Sequence, residues 1–187
     1  MMLGFAPPFL FVHRGASLAV LPLRHLSDPV LRQKAKKIKT INDALKKLID
    51  DMVDTMHAEN GVGLAANQVG VLRKVAVIQL PDDEEVMVLI NPEITHREGE
   101  VLLDEGCLSI PGYRGKLVRS LKVWAKAVDR NGKPFRVEAE DLLAEALEHE
   151  TDHLKGVLYI DHITDPTNFN KIESKTDFYE NPDTLKP

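Results

Sequence analysis

The pattern H-E-x-x-H at residues 149–153 constrains the fold most, because its two histidines can act together only on a helix. On an α-helix, residues four apart lie on one face and one turn apart, so His149 and His153 project side by side. The surrounding sequence predicts a helix from Asp141 to Leu154, followed by Gly156 where glycine favours a helix end. The apolar members at helical spacing are Leu142, Leu143, Ala146, Leu147 and Leu154.

Two imidazoles one turn apart can hold a divalent metal ion, and the intervening Glu150 can then reach a water molecule at that ion. A catalytic metal site needs a third protein ligand and one open position. The alternative at this point is a surface helix that carries two histidines and acidic neighbours by chance.

Three positions can be weighed as the source of a third ligand. One class of zinc protease continues its motif with another histidine, but Tyr159 stands at that position. A second class uses a downstream glutamate, and Glu173 has suitable spacing, although the residues before it are poor helix formers. The third candidate is Cys107, in a segment with glycine on both sides that permits close approach of backbone to a ligand. An inert buried cysteine is the alternative interpretation of Cys107.

The remaining periodicity predicts a single α+β domain, with mostly antiparallel strands around the central helix that carries H-E-x-x-H. An amphipathic helix is predicted from Ile41 to Glu59, with Asn42 as its N-cap. Asn131-Gly132 lies between two strand-like runs and indicates an antiparallel hairpin. The predicted strands are Lys74–Leu80, Glu85–Ile90, Val101–Leu103, Leu117–Val128 and Pro134–Glu138.

The predicted domain covers residues 18–163. Residues 1–17 are expected to be a disordered extension, because they form no periodic element and lack the charge order of a secretory signal. Residues 164–187 are polar and contain several Pro and Asn, so an irregular C-terminal tail is expected there.

Charge and composition argue against several classes of function. The chain has 24 Lys and Arg against 29 Asp and Glu, a net charge of −5, so direct nucleic-acid binding is not expected. No stretch approaches about 20 apolar residues, so no membrane partner is expected either. The single cysteine precludes an internal disulfide and fits a reducing compartment, and the predicted location is cytoplasmic.

Three segments together resemble the peptide deformylase family of the bacterial type. They are Gly61-Val62-Gly63-Leu64-Ala65-Ala66-Asn67-Gln68, then Glu105-Gly106-Cys107-Leu108-Ser109, then His149-Glu150-Thr151-Asp152-His153. The resemblance extends from about Leu18 to Ile163 and includes Asp28-Pro29-Val30-Leu31-Arg32.

The resemblance implies a metal-dependent hydrolase that removes the formyl group from the N-terminal formyl-methionine of nascent polypeptides and releases formate. It implies Cys107, His149 and His153 as metal ligands, with water in the fourth position. Fe²⁺ is the expected metal, and Zn²⁺, Ni²⁺ or Co²⁺ can take its place. The chain departs from the family pattern at Glu148, where Gln is usual, and at Asn67, where Ser or Thr is usual.

Further roles are expected around the metal. Glu150 takes a proton from the attacking water and passes it to the leaving amine. The resemblance assigns the stabilisation of the oxyanion to the Gln68 side-chain amide and the Leu108 backbone N–H. Glu105 and Arg119 are expected just outside the ligand set, either as an ion pair that holds the loop of the cysteine ligand or as separate surface charges.

Substrate recognition is expected to be mostly through the backbone, which suits an enzyme that must accept almost any nascent chain. Gly61, Val62 and Gly63 can offer N–H and C=O groups to an extended peptide, as in strand addition. Leu142 and Ala146 are expected to line an apolar pocket for the methionine side chain, with Gly106 in the same cleft. The expected partners are N-formyl-methionyl peptides of nascent chains near the ribosome.

Two other functions are open at this point. A zinc endopeptidase would use His149, His153 and Glu173 as ligands. A binding module with a structural metal would close the site with a fourth ligand such as Asp161 or His162, and it would have no exchangeable water.

Overall fold

The structure, a computed structural model, describes residues 19–172. The predicted extension at residues 1–17 and the tail residues 173–187 lie outside the described residues. Within the described range the helices are α1 (Asp43–Ala58) and α2 (Asp141–His153). The strands are β1 (Gly63–Ala65), β2 (Val75–Ile78), β3 (Met87–Glu98), β4 (Val101–Gly106), β5 (Tyr113–Arg119), β6 (Lys122–Val128), β7 (Pro134–Glu140) and β8 (Phe169–Lys171).

Helix α1 begins at the predicted place because Asn42 caps its first turn. The Asn42 side chain accepts a hydrogen bond from the Leu45 N–H at 3.0 Å, which satisfies a donor that has no partner inside the helix. The helix ends at Ala58, and Asn60 follows with a positive φ of 55°. Its buried apolar face packs on β1 and β2 through Leu45, Ile49, Met52 and Met56.

Among residues 19–172, one antiparallel sheet has five strands in the order β1-β2-β3-β6-β7. The predicted hairpin joins β6 to β7, where the Gly132 N–H donates to the Asp129 carbonyl at 3.1 Å and Gly132 has a φ of 88°. Strand β1 lies at one edge of the sheet and pairs with β2. The sequence did not indicate β1, because three residues are too few to show alternation.

The prediction of one strand from Leu117 to Val128 is wrong. Strand β5 ends at Arg119 and β6 begins at Lys122, and the two strands belong to different sheets. At the break, the N–H of Ser120 donates to the carboxylate of Glu148 on α2 at 2.8 Å and not to a neighbouring strand. A contact between distant parts of the chain thus interrupts a run of strand-forming residues.

The second sheet in the described range has the order β4-β5-β8. Strand β8 lies inside residues 164–187, which the sequence predicts as irregular, so that expectation does not hold for Phe169–Lys171. The Phe169 ring stacks on Tyr113 of β5 with 5.0 Å between ring centroids. Residues Phe169–Lys171 are therefore a strand because they pair with β5, and the segment is too short for its own sequence pattern to show this.

Helix α2 packs on the five-stranded sheet, where Ala146 and Leu147 share a core cluster with Val123 and Ala125 of β6. Each strand pairing within the two sheets is antiparallel. The prediction of an α+β domain with antiparallel strands around the H-E-x-x-H helix is therefore confirmed. No helix among residues 19–172 combines the length and apolar character needed to cross a membrane.

We expect Gly156→Ala to destabilise the protein more than Gly132→Ala, although φ is 80° and 88° at the two positions. Each alanine incurs the cost of a left-handed backbone, about 1–2 kcal/mol. At Gly156 an added Cβ would also lie 2.5 Å from the carbonyl oxygen of Arg32, whereas at Gly132 the nearest atom is Cδ1 of Ile41 at 3.7 Å. Urea unfolding of both variants measures the difference, and equal losses of unfolding free energy would contradict the close packing at Gly156.

Candidate metal centre

Three side chains converge between α2 and the end of β4. The candidate ligand atoms of Cys107, His149 and His153 all lie within 4.8 Å of one another. The Nε2 atom of His153 is 3.2 Å from Cys107 Sγ and 3.1 Å from His149 Nε2. Cys107 and His153 are buried, and the His149 side chain is 11% exposed. Two separate elements thus bring one sulfur and two nitrogens to a single enclosed point.

A tight turn after β4 holds the Cys107 thiol. The Ile110 N–H donates to the Cys107 carbonyl at 2.9 Å and closes the turn. The Ser109 N–H donates to Cys107 Sγ at 3.4 Å. The turn and this contact fix the position of the sulfur beside the two histidines.

The orientation of His149 is fixed by a buried network of ion pairs. His149 donates from Nδ1 to Oε1 of Glu105, so its Nε2 faces the ligand cluster. Arg119 donates from Nε and Nη2 to Glu105 at 2.8 and 2.9 Å, and from Nη1 to Asp152 at 2.7 Å. The side chains of Arg119 and Glu105 are 3% and 2% exposed, so the alternative that they are separate surface charges is wrong.

This network sets the protonation states around the ligands. Burial by itself raises the pKa of Glu105, but the His149 imidazole and the Arg119 guanidinium outweigh burial and lower that pKa to about 2. Burial lowers the pKa of His153, and the neighbouring His149 lowers it further. Glu105 is therefore a carboxylate at neutral pH, and His153 is a neutral imidazole with a lone pair for a metal.

Asn67 connects the end of α2 to the segment that carries Gln68. It is fully buried, and its side-chain NH₂ donates to the His153 carbonyl at 2.5 Å. The Gly156 N–H donates to the same carbonyl at 2.9 Å. Asn67, where the chain departs from the family pattern, thus donates a side-chain hydrogen bond to the backbone carbonyl of the candidate ligand His153.

The Gln68 amide has a defined orientation beside the ligand cluster. Its Oε1 accepts from the Ala65 N–H at 2.7 Å, and its NH₂ group lies 3.7 Å from Cys107 Sγ and 3.3 Å from Ser109 Oγ. Leu108 follows Cys107 directly, and a Cβ added to Gly61 would lie 2.7 Å from Leu108 Cδ1. The structure therefore brings the Gln68 amide, the Cys107 turn and the segment before β1 together.

The carboxyl of Glu150 lies against β1. A Cβ added to Gly63 would lie 3.0 Å from Cδ of Glu150, so an alanine at this position would have to displace the Glu150 side chain. Oε2 of Glu150 is buried without a hydrogen-bond partner in the described part of the chain. Burial raises the pKa of Glu150 to about 7, against an opposing effect of His149. Such a carboxyl can both accept and donate a proton at neutral pH.

The residues expected to bind substrate come from the segment leading into β1, from the end of β4 and from α2. Gly61 and Val62 lead into the edge strand β1, and the Val62 carbonyl accepts from the Gln79 N–H at 2.9 Å. Val62 also packs against the cluster that contains Ala146 of α2. Gly106 ends β4 directly before the cysteine ligand.

Leu142 and Glu145 lie half-buried on α2, ahead of His149. Glu145 is four residues, or about one turn, before that histidine. Burial and, to a lesser extent, the nearby Glu105 carboxylate together raise the pKa of Glu145 to about 7. Glu145 is therefore partly shielded from solvent near the ligand cluster.

The residues present fit a divalent transition metal. One thiol and two imidazoles are the donor types that Fe²⁺ and Zn²⁺ accept, and three protein ligands leave a position open for water. The buried Oε2 of Glu150, one residue after His149, is an acceptor that a water at this position would satisfy.

The other residues considered as ligands lie elsewhere. Asp161 pairs with Arg32, and His162 lies 2.9 Å from Asp152. Glu173 lies outside the described residues. Within residues 19–172, the one group of metal-ligating side chains is therefore the thiol and the two imidazoles described above.

Two supporting residues were missed by the sequence interpretation. Ser109 donates its N–H to the thiol, and Asp152 accepts from Arg119. Each residue lies inside one of the quoted motifs, and this place in the motif was the only indication in the sequence that it supports the site. Their partners are 2 and 33 residues away, and the longer connection cannot be inferred from spacing.

The model of the polypeptide deformylase family matches residues 20–169 of the chain. The chain belongs to the polypeptide deformylase family. It is 48% identical over 155 residues to the peptide deformylase of Dehalococcoides mccartyi strain CBDB1, which covers 83% of this chain and 93% of that protein. It is 51% identical over 150 residues to the peptide deformylase of Thermodesulfovibrio yellowstonii, with coverage of 79% and 91%.

A solved structure supports the same assignment. The crystal structure of a peptide deformylase from Legionella pneumophila matches with a TM-score of 0.77 at 46% identity, covering 80% of this chain and 89% of that chain. The prediction of a metal-dependent hydrolase that removes the formyl group from nascent polypeptides is thus confirmed. Its metal site is the Cys/His/His set of Cys107, His149 and His153.

Cys107→Ser is expected to lose most of its metal, because a hydroxyl is a far poorer ligand than a thiolate for these ions. Ser109→Ala is the matched control, since it removes a buried hydroxyl from the same turn and keeps the thiol and both imidazoles. Elemental analysis per folded protein gives the metal content of both variants. A wild-type metal content in Cys107→Ser would show that the sulfur is not a ligand.

Proposed function

We propose that this deformylase uses Glu150 as its proton carrier, and the Gln68 amide and the Leu108 N–H as donors to the oxyanion. The observation that carries the proposal is the convergence of the three ligands with a buried carboxyl that has one unpartnered oxygen among the described residues. A metal alone would explain the ligands, but it would not explain why this carboxyl is enclosed with them.

We further propose that Cys107, His149 and His153 hold Fe²⁺, and that Zn²⁺, Ni²⁺ or Co²⁺ can replace it. A thiolate with two imidazoles suits all four ions. When bound, such an ion lowers the pKa of a coordinated water to about 7 and polarises the formyl oxygen.

Glu150 accepts one proton from the attacking water, whose oxygen bonds to the formyl carbon. It then donates that proton to the amine nitrogen as the C–N bond breaks, so formate and a free amino terminus leave. A pKa of about 7 supports both steps, because the acid and the carboxylate forms coexist at neutral pH. The backbone of α2 keeps this carboxyl beside the His149 ligand.

The oxyanion that forms during the attack needs donors that do not titrate. Two contacts support Gln68 in this role: its Oε1 is engaged by the Ala65 N–H, which directs its NH₂ toward the cysteine sulfur. The Leu108 N–H belongs to the peptide group that follows Cys107. Both donors come from segments that contact each other through Gly61 and Leu108.

The peptide substrate is proposed to add as a strand beside Gly61, Val62 and Gly63. The edge position of β1 supports this, because an edge strand offers unpaired N–H and C=O groups on one side. Backbone pairing does not select side chains, so it suits a wide range of nascent chains. Pairing at Gly63 would also bring the formylated end toward Glu150, which lies against that glycine.

The methionine side chain is proposed to enter an apolar pocket formed by Leu142 and Ala146, with Gly106 in the same cleft. The half-buried carboxyl of Glu145 on the same helix would disfavour an acidic side chain there. We also propose that the protein acts in the cytoplasm, on nascent chains near the ribosome.

Release of formate from formyl-Met-Ala-Ser by Fe²⁺- or Ni²⁺-loaded protein under anaerobic conditions tests the proposal. Wild type should turn the peptide over, and Glu150→Gln should keep its metal and lose about 10²- to 10⁴-fold in kcat. Near-normal turnover by Glu150→Gln would overturn the role of Glu150. Cleavage of internal peptide bonds without formate would instead support the endopeptidase.

Gly63→Ala should lower kcat without loss of metal, because the new Cβ would displace the Glu150 carboxyl. A displacement of about 1 Å can cost about 100-fold in rate. The same change in a Glu150→Gln background should have little further effect, since the displaced group is already inactive. A full additional loss in the double variant would show that Gly63 acts on the substrate and not through Glu150.

A further inference from the structure

Glu148 is a buried carboxylate on the side of α2 that faces the five-stranded sheet. Its side chain is 6% exposed. Oε1 accepts from Arg97 Nε at 2.6 Å, and Oε2 accepts from the Ser120 N–H at 2.8 Å. Both oxygens therefore have a donor, and one of the two donors is a cation.

The two donors come from different parts of the fold. Arg97 lies on β3, where it pairs in register with Val123 of β6, a residue of the core under α2. Ser120 lies in the connection from β5 to β6, where the chain passes from one sheet to the other. Glu148 thus attaches α2 to β3 and to the junction of the two sheets.

Glu148 also directly precedes His149. On a helix, consecutive residues differ by about 100° in direction, so a residue held on the sheet side sets the direction of its neighbour toward Cys107. The network of Arg119 holds α2 from the side of β4 and β5, through His149 and Asp152. The contact of Glu148 holds it from a different direction, which fixes the rotation of the helix about its axis.

The charge of Glu148 makes this attachment depend on Arg97. A buried carboxylate that loses its cation must move or attract water, because an unpaired charge in the interior is unfavourable. The side chain of Arg97 is 47% exposed, so it can be changed without opening the core. Neither residue touches the ligand atoms, and both act through the helix.

We propose that Arg97 and Glu148 are positioning residues of the metal centre, which hold α2 in the rotation that aims His149 at the metal. The effect of this pair on catalysis rests on the proposed function, whereas its effect on metal binding rests on the ligand set alone. The pair adds to the reaction by keeping the imidazole of His149 in place while the metal is bound.

The test compares the rate at which Co²⁺-loaded protein releases its metal to a chelator, followed by the absorbance of the thiolate-bound ion. Arg97→Gln should release metal about 10-fold faster, the lower end of what partners of metal ligands contribute. The control is Lys126→Gln, which breaks the pair of Lys126 with Glu93 across the same two strands, both side chains being about half exposed. The release rate of this control should equal that of wild type.

The combination with Glu148→Gln separates positioning by the charged pair from a general loss of stability. A glutamine at 148 can still accept from the Ser120 N–H and leaves no buried charge, so Arg97→Gln/Glu148→Gln should release metal more slowly than Arg97→Gln alone. Wild-type release in Arg97→Gln, or a double variant worse than both single variants, would overturn the proposal. A lower melting temperature of the metal-free protein with unchanged release would also overturn it.

Arg97→Lys provides a second measurement if Arg97→Gln folds poorly. It keeps the charge but lacks the Nε–H donor, so its release rate should lie between those of wild type and Arg97→Gln. If Arg97→Gln cannot be measured, Asp152→Asn, which weakens the Arg119 network on the ligand side, supplies the faster reference rate. A rate equal to that of wild type would contradict the need for the Nε contact. Metal release is measured without substrate, so a failure of the deformylase assay leaves this test unaffected.

Discussion

The buried guanidinium of Arg119 is the interaction on which the metal centre depends. It spans Glu105, two residues before the Cys107 ligand, and Asp152, one residue before the His153 ligand. Glu105 in turn accepts from His149, so one cation connects the loop and the helix that supply all three ligands. Taking these charges out of water costs several kcal/mol per ion, and this cost is offset only when each charge has close, well-oriented partners. The arrangement of the ligands therefore depends on the completeness of the network.

The network leaves two groups available for chemistry, the Nε2 atom of His149 and the carboxyl of Glu150. Because Glu105 binds Nδ1 of His149, the opposite nitrogen faces the thiol and the second imidazole. The carboxyl of Glu150 has no cation partner among the described residues and its pKa is raised to about 7 by burial. Two carboxyls at the site are therefore in contrasting states: Glu105 on β4 is held ionised by Arg119 and His149, and Glu150 on α2 can exchange a proton. This division suits an amide hydrolase that needs a stable metal site and a mobile proton.

The sequence predicted the parts of the molecule whose signals are local. The period of α2, the cap at Asn42 and the Asn131-Gly132 turn each depend on neighbours within a few residues. Strands β1 and β8 were missed because three residues show no pattern, and their pairing partners alone define them. The sequence also could not decide whether Arg119 was buried, since a charge pair 14 residues apart looks the same on a surface. The family motifs, not the periodicity, indicated the third ligand.

X-ray absorption at the metal edge of the Ni²⁺- or Fe²⁺-loaded protein identifies the atoms that surround the ion. We expect one sulfur neighbour and two nitrogens of imidazole type, with oxygen completing the shell, because the sulfur of Cys107 and the imidazoles of His149 and His153 converge. The spectrum of Cys107→Ser reconstituted with excess metal serves as the sulfur-free reference. A wild-type spectrum without a sulfur contribution, or with oxygen and nitrogen neighbours alone, would contradict the account.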